Sequence, residues 1–232
     1  MTITEHIAAV RREMAEAARE SGRSERDIFL VGASKMNDAA ACQEAIAAGV
    51  DALGENRVQE MTAKLAQNAY DGAPLHFIGH LQRNKVKYII DKAALIHSVD
   101  SLRLAETIQE EAAKHQVVMP ILVEVNVAME ETKFGTSLAE AMELVEQISH
   151  FPNIRIEGLM TIAPFVEDPE ENRKYFRALK KLAVDINNKN IDNVHVRILS
   201  MGMTNDYMVA IEEGATMVRV GTGIFGERNY NI

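Results

Sequence analysis

The sequence predicts a closed (β/α)8 barrel, an α/β fold, preceded by one extra helix and forming a single domain over residues 1–232. Three observations predict it. Eight short apolar runs of strand type alternate with segments of helical periodicity. Polar residues gather at the exits of these runs along the whole chain, where an open doubly wound sheet would collect them at one switch point. Finally, 232 residues with 47% hydrophobic and 25% charged side chains suit one undivided domain with a sizeable core. No sequence repeat, low-complexity tract or flexible linker interrupts the alternation.

Thr2-Ile3-Thr4-Glu5 has capping-box spacing, and Ile3, Ile7, Val10, Met14 and Ala17 recur along one face of the helix that Ser21-Gly22 ends. After a charged turn, Ile28-Phe29-Leu30-Val31-Gly32-Ala33-Ser34-Lys35 reads as a central strand that delivers an amine to the barrel mouth. Asn37 and Asp38 cap a helix through Ala48, Gly49 stops it, and Asp51 to Gly54 form a second strand leading into Glu55-Asn56-Arg57. A helix over 56–69 follows. Leu75 to Gly79 make the third strand, with His80 at its exit and a helix over 82–91 behind it. Leu95 to His97 make the fourth, and Ser101 caps the next helix. Pro120 to Val127 are the fifth and longest expected strand, and Ser137 with Glu140 form a second capping box. Ile154 to Met160 are the sixth; Asp168-Pro169-Glu170-Glu171 open a long helix with proline in its first turn. Val194 to Leu199 and Thr216 to Val220 complete the set.

Composition narrows the function. A net charge of -9 without a basic stripe argues against nucleic acid as a partner. No window approaches the roughly 18 apolar residues of a spanning helix, and no basic, apolar targeting segment opens the chain, so no membrane role and a cytoplasmic location are expected. Cys42 is the single cysteine, which allows no internal disulfide, fits a reducing compartment and reads as a small buried hydrophobe; the 12 methionines read as core filler.

Gly221-Thr222-Gly223-Ile224-Phe225-Gly226 matches G-x-G-x-x-G, but only six residues follow it, too few for the helix and acidic residue of a dinucleotide site. A mononucleotide-scale phosphate site remains, built from Ser200 to Thr204 and Gly221 to Gly223 in the loops after strands seven and eight; tight turns are the alternative use of those glycines. His76 and His80, four apart at a strand end, lack further His or Cys neighbours, so no metal site is expected. His97 and His195 lie in apolar strands and read as hydrogen-bonded core residues. An amine and a phosphate cradle at one mouth suit a phosphorylated aldehyde held as an imine, and pyridoxal 5′-phosphate is the cofactor that fits. Lys35 must then offer a neutral amine, which an ordinary lysine of pKa about 10.4 does for roughly one molecule in a few thousand at pH 7. Partial burial and the nearby cation Arg219 would raise that fraction.

Motifs along nearly the whole chain resemble the family of pyridoxal phosphate homeostasis proteins, single-domain relatives of the amino-terminal barrel of alanine racemase and hence fold type III among proteins that use this cofactor. They are Ala33-Ser34-Lys35, Gly54 to Glu60, His76 to Lys85, Ile96 to Asp100, Gly158 to Thr161, Leu199 to Met203 and Val218 to Thr222. The resemblance implies that Lys35 forms the imine, that Ser200 and the amides around Gly221 and Thr222 hold the phosphate, and that Arg219 faces the pyridine nitrogen. By the same resemblance Asn56, His80, Met160 and Met201 lie around the cofactor, and Lys133 is a second lysine near the site that takes part in cofactor exchange. Two departures stand out: Leu75 replaces an aromatic residue, and Asn37-Asp38 stand where relatives often carry lysine and proline, which puts a relay role for that lysine in doubt.

An arginine at the pyridine nitrogen disfavours ring protonation and makes a poor electron sink. The second base of a racemase belongs to a domain that this chain is expected to lack, and Tyr70, Tyr88 and Tyr230 do not replace it. The expectation is a monomeric cofactor-binding protein that stores, buffers or delivers pyridoxal phosphate, with apoenzymes as recipients and no catalytic residue assigned. An amino-acid racemase or lyase is the alternative, and a barrel binding another phosphorylated metabolite is a third reading.

Overall fold

A computed structural model of the chain describes residues 1–227; Tyr230 lies outside the described residues. Eight parallel strands close into a barrel in sequence order: β1 Phe29–Ala33, β2 Ala52–Glu55, β3 Leu75–Phe77, β4 Leu95–Val99, β5 Met119–Glu124, β6 Ile154–Met160, β7 Val194–Met203 and β8 Met217–Val220. The helices around it are α1 Ile3–Glu20, α2 Ala39–Ala47, α3 Val58–Leu65, α4 Leu102–His115, α5 Ala141–Ser149, α6 Arg173–Asn188, α7 Tyr207–Glu212 and the short α8 Thr222–Phe225. The expected fold, extra helix included, is the one formed. Among the described residues no helix is long and apolar enough to cross a membrane.

Local chemistry explains the boundaries. At the start of α1, Glu5 N donates to Thr2 Oγ1 and Thr2 N to Glu5 Oε2, and Ile7, Val10, Met14 and Ala17 are buried against α7 and α8. Asp38 accepts from Ala41 N and caps α2. Cys42 is buried, as expected. Helix α3 stops earlier than the periodicity predicts, because Asn68 takes a left-handed φ of 57° and turns the chain.

Several boundaries differ for steric reasons. β3 ends at Phe77, because the chain at Gly79 passes so close to Asn56 that a Cβ would lie 2.2 Å from its carbonyl oxygen. The helix expected over 82–91 is a 3-10 segment, Arg83–Tyr88, in which the amides of Lys85 and Ile89 reach back only three residues to Gln82 and Val86. A similar turn, Pro169–Asn172, precedes α6. The longest strand is β7, with 10 residues, and not the fifth. Its register on β8 steps from Ser200↔Met217 to Met203↔Arg219, and this bulge at Gly202 (φ 92°) keeps the strand paired past Leu199.

Strand alternation sorts the core into two shells. Val31, Ala52, Leu95, Leu122, Met160 and Met217 pack inside the barrel with Phe29 and Ile198, while a larger cluster fills the space between sheet and helices. His97 belongs to the buried set, but His195 is exposed: its neighbours Val194 and Val196 are the residues of that stretch of β7 that pack under the helices.

Candidate functional site

Lys35 lies two residues past the end of β1, a strand whose Phe29 and Val31 face the barrel interior while Leu30 and Ser34 face the helices. β1 also pairs directly with β8, with Val31 opposite Arg219. Continuing that register brings Lys35 out of the barrel beside the turn at Gly221 to Gly223. The first and last strands are therefore neighbours through closure, and the amine and the glycines share one mouth.

Behind Lys35 lies a buried polar cluster that sequence reasoning did not single out. Glu55 Oε1 accepts from Ser34 Oγ at 2.6 Å, from Lys64 Nζ at 2.6 Å and from Tyr70 Oη at 3.1 Å, and Lys64 also donates to the Ser34 carbonyl at 2.8 Å. Burial alone would pull the pKa of Lys64 down, but the hydrogen bond and charge of Glu55 outweigh it and leave the ammonium favoured. This cluster clamps the end of β1. Glu55 ends β2 and Lys64 sits in α3, 9 positions later, and nothing in that spacing marks them as a buried pair.

Inside the barrel, Arg219 is 2% exposed and donates to Ser200 Oγ at 2.5 Å and to the Thr161 carbonyl at 2.8 Å. Burial lowers its pKa to about 10, against the opposing charges of Glu124 and Asp206. Ser200 also meets His97 Nδ1 at 3.0 Å, and His97 Nε2 meets His76 Nδ1 at 3.1 Å. Glu124, at the end of β5, has its carboxyl raised to about 7 by burial and by the charge of Asp100. The strand ends hold this set in step, since Met160 pairs with both Glu124 and Ser200.

The glycine turn is organised by Thr204, the last residue of the loop after strand seven that the sequence reading assigned to the phosphate site. The amides of Gly221 and Gly223 converge on Thr204 Oγ1 at 3.3 and 3.2 Å, which places an oxygen where two backbone donors meet. Thr222 is exposed beside them. At β2, Asn56 Oδ1 is buried without a hydrogen-bond partner. An aromatic phosphate bearing an aldehyde suits this donor set: paired amides for an anion, a buried guanidinium for a ring nitrogen, an unmatched amide acceptor and Lys35.

The remaining sequence-based residues are placed differently. Met201 alternates outward from Ser200 into the outer core, so it can offer the mouth only backbone atoms. His80 is exposed, stacks on Phe134 with ring centroids 3.6 Å apart, and sits 3.9 Å from Asp100 in a side cavity of about 430 Å³. Lys133, in the same loop as Phe134, pairs with Glu130 at 2.6 Å and donates to the Ala163 carbonyl. A larger cavity, about 930 Å³, opens at the opposite end of the barrel and includes His76 and Phe29 but not the glycine turn.

Residues 6–229 match the family model described as alanine racemase, N-terminal domain. Proteins named pyridoxal phosphate homeostasis protein match end to end. The one from Aquifex aeolicus is 44% identical over 99% of this chain and 100% of its own, and the one from Escherichia coli K12 is 36% identical over 99% and 98%. Among solved structures, PipY of Synechococcus elongatus PCC7942 with PLP bound superposes with a TM-score of 0.83 at 32% identity, covering 97% of this chain and 100% of PipY. An alanine racemase from Corynebacterium glutamicum, 15% identical with a TM-score of 0.72, shares the fold over 99% of this chain and 63% of its own. With full-length relatives of one name at this identity, the chain belongs to the pyridoxal phosphate homeostasis protein family, within the alanine racemase N-terminal barrels.

Proposed function

We propose that this protein binds pyridoxal 5′-phosphate as an imine of Lys35 and serves cytoplasmic vitamin B6 homeostasis, storing, buffering or delivering the cofactor as a single-domain monomer. The observation that carries the reading is the β1–β8 register, which sets Val31 against Arg219 and supports an amine at 35 near the glycine turn. A family relative with PLP bound, similar over the whole chain, supports it. Bound there, the cofactor supplies an electrophilic aldehyde and a polarisable ring. Ser200 and the amides of Gly221 to Gly223 hold its phosphate, Arg219 faces its ring nitrogen, and Asn56 and Met160 flank it.

The chain's own residues favour holding over turnover. Arg219 has only donors to offer a ring nitrogen and is fixed by two hydrogen bonds, which opposes protonation of that nitrogen. Two buried tyrosine hydroxyls are committed elsewhere: Tyr70 to Glu55 and Tyr207 to Glu13. Delivery to apoenzymes gains support from the rim, where Met36, Met129, Phe134, Ile162 and Phe165 on loops and Met203 at the end of β7 are exposed and offer an apolar surface on which a recipient can close. Lys133, in the same rim, is suited to a part in exchange.

Borohydride reduction of the loaded protein followed by peptide mass mapping is the test. The label is expected on Lys35, and the visible imine band should vanish in Lys35→Ala. A label elsewhere, or a band that survives the substitution, overturns the assignment. Turnover of amino acids above the rate of free cofactor would favour the racemase or lyase alternative.

A further inference from the structure

Four buried polar residues form an unbroken line through the barrel: Arg219 Nη1 to Ser200 Oγ at 2.5 Å, Ser200 Oγ to His97 Nδ1 at 3.0 Å, and His97 Nε2 to His76 Nδ1 at 3.1 Å. Their exposures are 2%, 0%, 0% and 5%. One end faces the glycine-turn mouth. The other is His76, which stacks on Phe29 at 5.8 Å and lines the 930 Å³ cavity at the far end. His76 spends Nδ1 on His97, so Nε2 is the ring nitrogen it has left for that cavity.

The line has only two self-consistent proton arrangements, and they follow from donor and acceptor inventories. Arg219 can only donate, so one lone pair of Ser200 is always taken. In the inward arrangement the Ser200 hydroxyl donates to His97 Nδ1, His97 Nε2–H donates to His76 Nδ1, and His76 keeps its proton on Nε2. In the outward arrangement His76 Nδ1–H donates to His97, His97 Nδ1–H donates to Ser200, and the hydroxyl proton of Ser200 is released toward the mouth. Only the outward arrangement lets Ser200 donate to an anion while every other bond of the line is kept. The inward one would present an anion with a lone pair.

We propose that His97 and His76 are positioning residues that set the direction of the Ser200 hydroxyl proton, and that the far cavity is where this line exchanges its proton. The proposal rests on the reading that Ser200 meets the cofactor phosphate. Switching from inward to outward balances without any redox partner. Ser200 passes its proton to His97 Nδ1 and takes one from the mouth, His97 passes its Nε2 proton to His76 Nδ1, and His76 gives its Nε2 proton to water in the cavity. Each residue ends with the protons it began with, and one proton has crossed the barrel. Burial keeps both rings neutral, holding His76 at about 4 and His97 well below its ordinary range with help from His76 and Arg219, so each ring carries the single proton that the switch requires.

The tautomers are directly measurable by two-bond proton–nitrogen correlation NMR on ¹⁵N-histidine protein, with no substitution needed. Loading with pyridoxal 5′-phosphate, or saturating with inorganic phosphate, is expected to convert both rings to the Nδ1–H form. Loading with pyridoxal, which has the aldehyde but no phosphate, should leave them unchanged. Rings that stay Nε2–H with the phosphate form bound, or that take up a second proton, overturn the relay. As a second arm, His97→Phe should weaken retention of pyridoxal 5′-phosphate about tenfold while leaving pyridoxal retention within twofold. An equal loss of both would show a merely structural role and reject the proposal. An imine band with unchanged tautomers overturns the relay alone, whereas no imine band on Lys35 overturns the cofactor reading and the relay with it.

Discussion

Lys64 Nζ lies 2.6 Å from Glu55 Oε1 with both side chains buried, directly behind the strand end that carries Lys35. Two charges taken out of water together hold each other; removing Lys64 strands Glu55, while Lys64 without Glu55 keeps only the part-exposed Glu60 at 2.9 Å. Lys64→Met or Glu55→Gln should each destabilise the fold by about 3–5 kcal/mol in denaturant unfolding, and the double substitution by clearly less than the sum. Because the pKa of Lys64 is raised on folding, its contribution is complete at neutral pH and should fade only as the pH climbs past the usual lysine value of about 10.4. Single substitutions costing under about 1 kcal/mol would mean the pair is dispensable.

Glu124 gives the opposite slope. Its folded-state pKa is raised to about 7, first by burial and then by Asp100, so the folded form binds a proton more tightly than the unfolded chain does. Stability should therefore fall as pH rises from about 4.3 to 7, with a full cost of about 4 kcal/mol reached above 7. Glu124→Gln should flatten that interval and raise stability at pH 8. Parallel pH profiles of the two proteins would refute the assignment.

Asn56 carries a buried, unmatched carbonyl oxygen, which costs about 1–3 kcal/mol in the unliganded fold. Asn56→Ala is expected to leave unliganded stability unchanged or higher while cofactor retention falls. Equilibrium dialysis paired with thermal unfolding checks both halves, and a stability loss with normal retention would mark Asn56 as structural only.

Gly79 passes against the Asn56 backbone, and a Cβ there would come within 2.2 Å of the carbonyl oxygen and 2.5 Å of the Cα. Backbone cannot yield as a flexible side chain does. Gly79→Ala should destabilise by about 1–3 kcal/mol or more and displace Asn56, so that retention drops further than stability alone explains. A silent substitution would show that the β3 exit is more pliable than its packing implies.

The sequence by itself determined the barrel, the extra helix and the apolar first strand, which ends at Ala33, two residues short of Lys35. These are readable because strand and helix periodicity, capping pairs such as Thr2 with Glu5, and apolar runs such as Phe29 to Ala33 are properties of neighbouring residues. Tertiary structure alone decided the pairing of Val31 with Arg219, the burial of Glu55 with Lys64, the line from Arg219 to His76, the turning away of Met201 and the exposure of His195. Barrel closure sets side by side strands separated by most of the chain, and the parity of each strand chooses the face, so which polar groups share the dry interior depends on register. A one-residue shift would exchange Ser200 for Met201 at the mouth, and no local pattern in the chain fixes that choice.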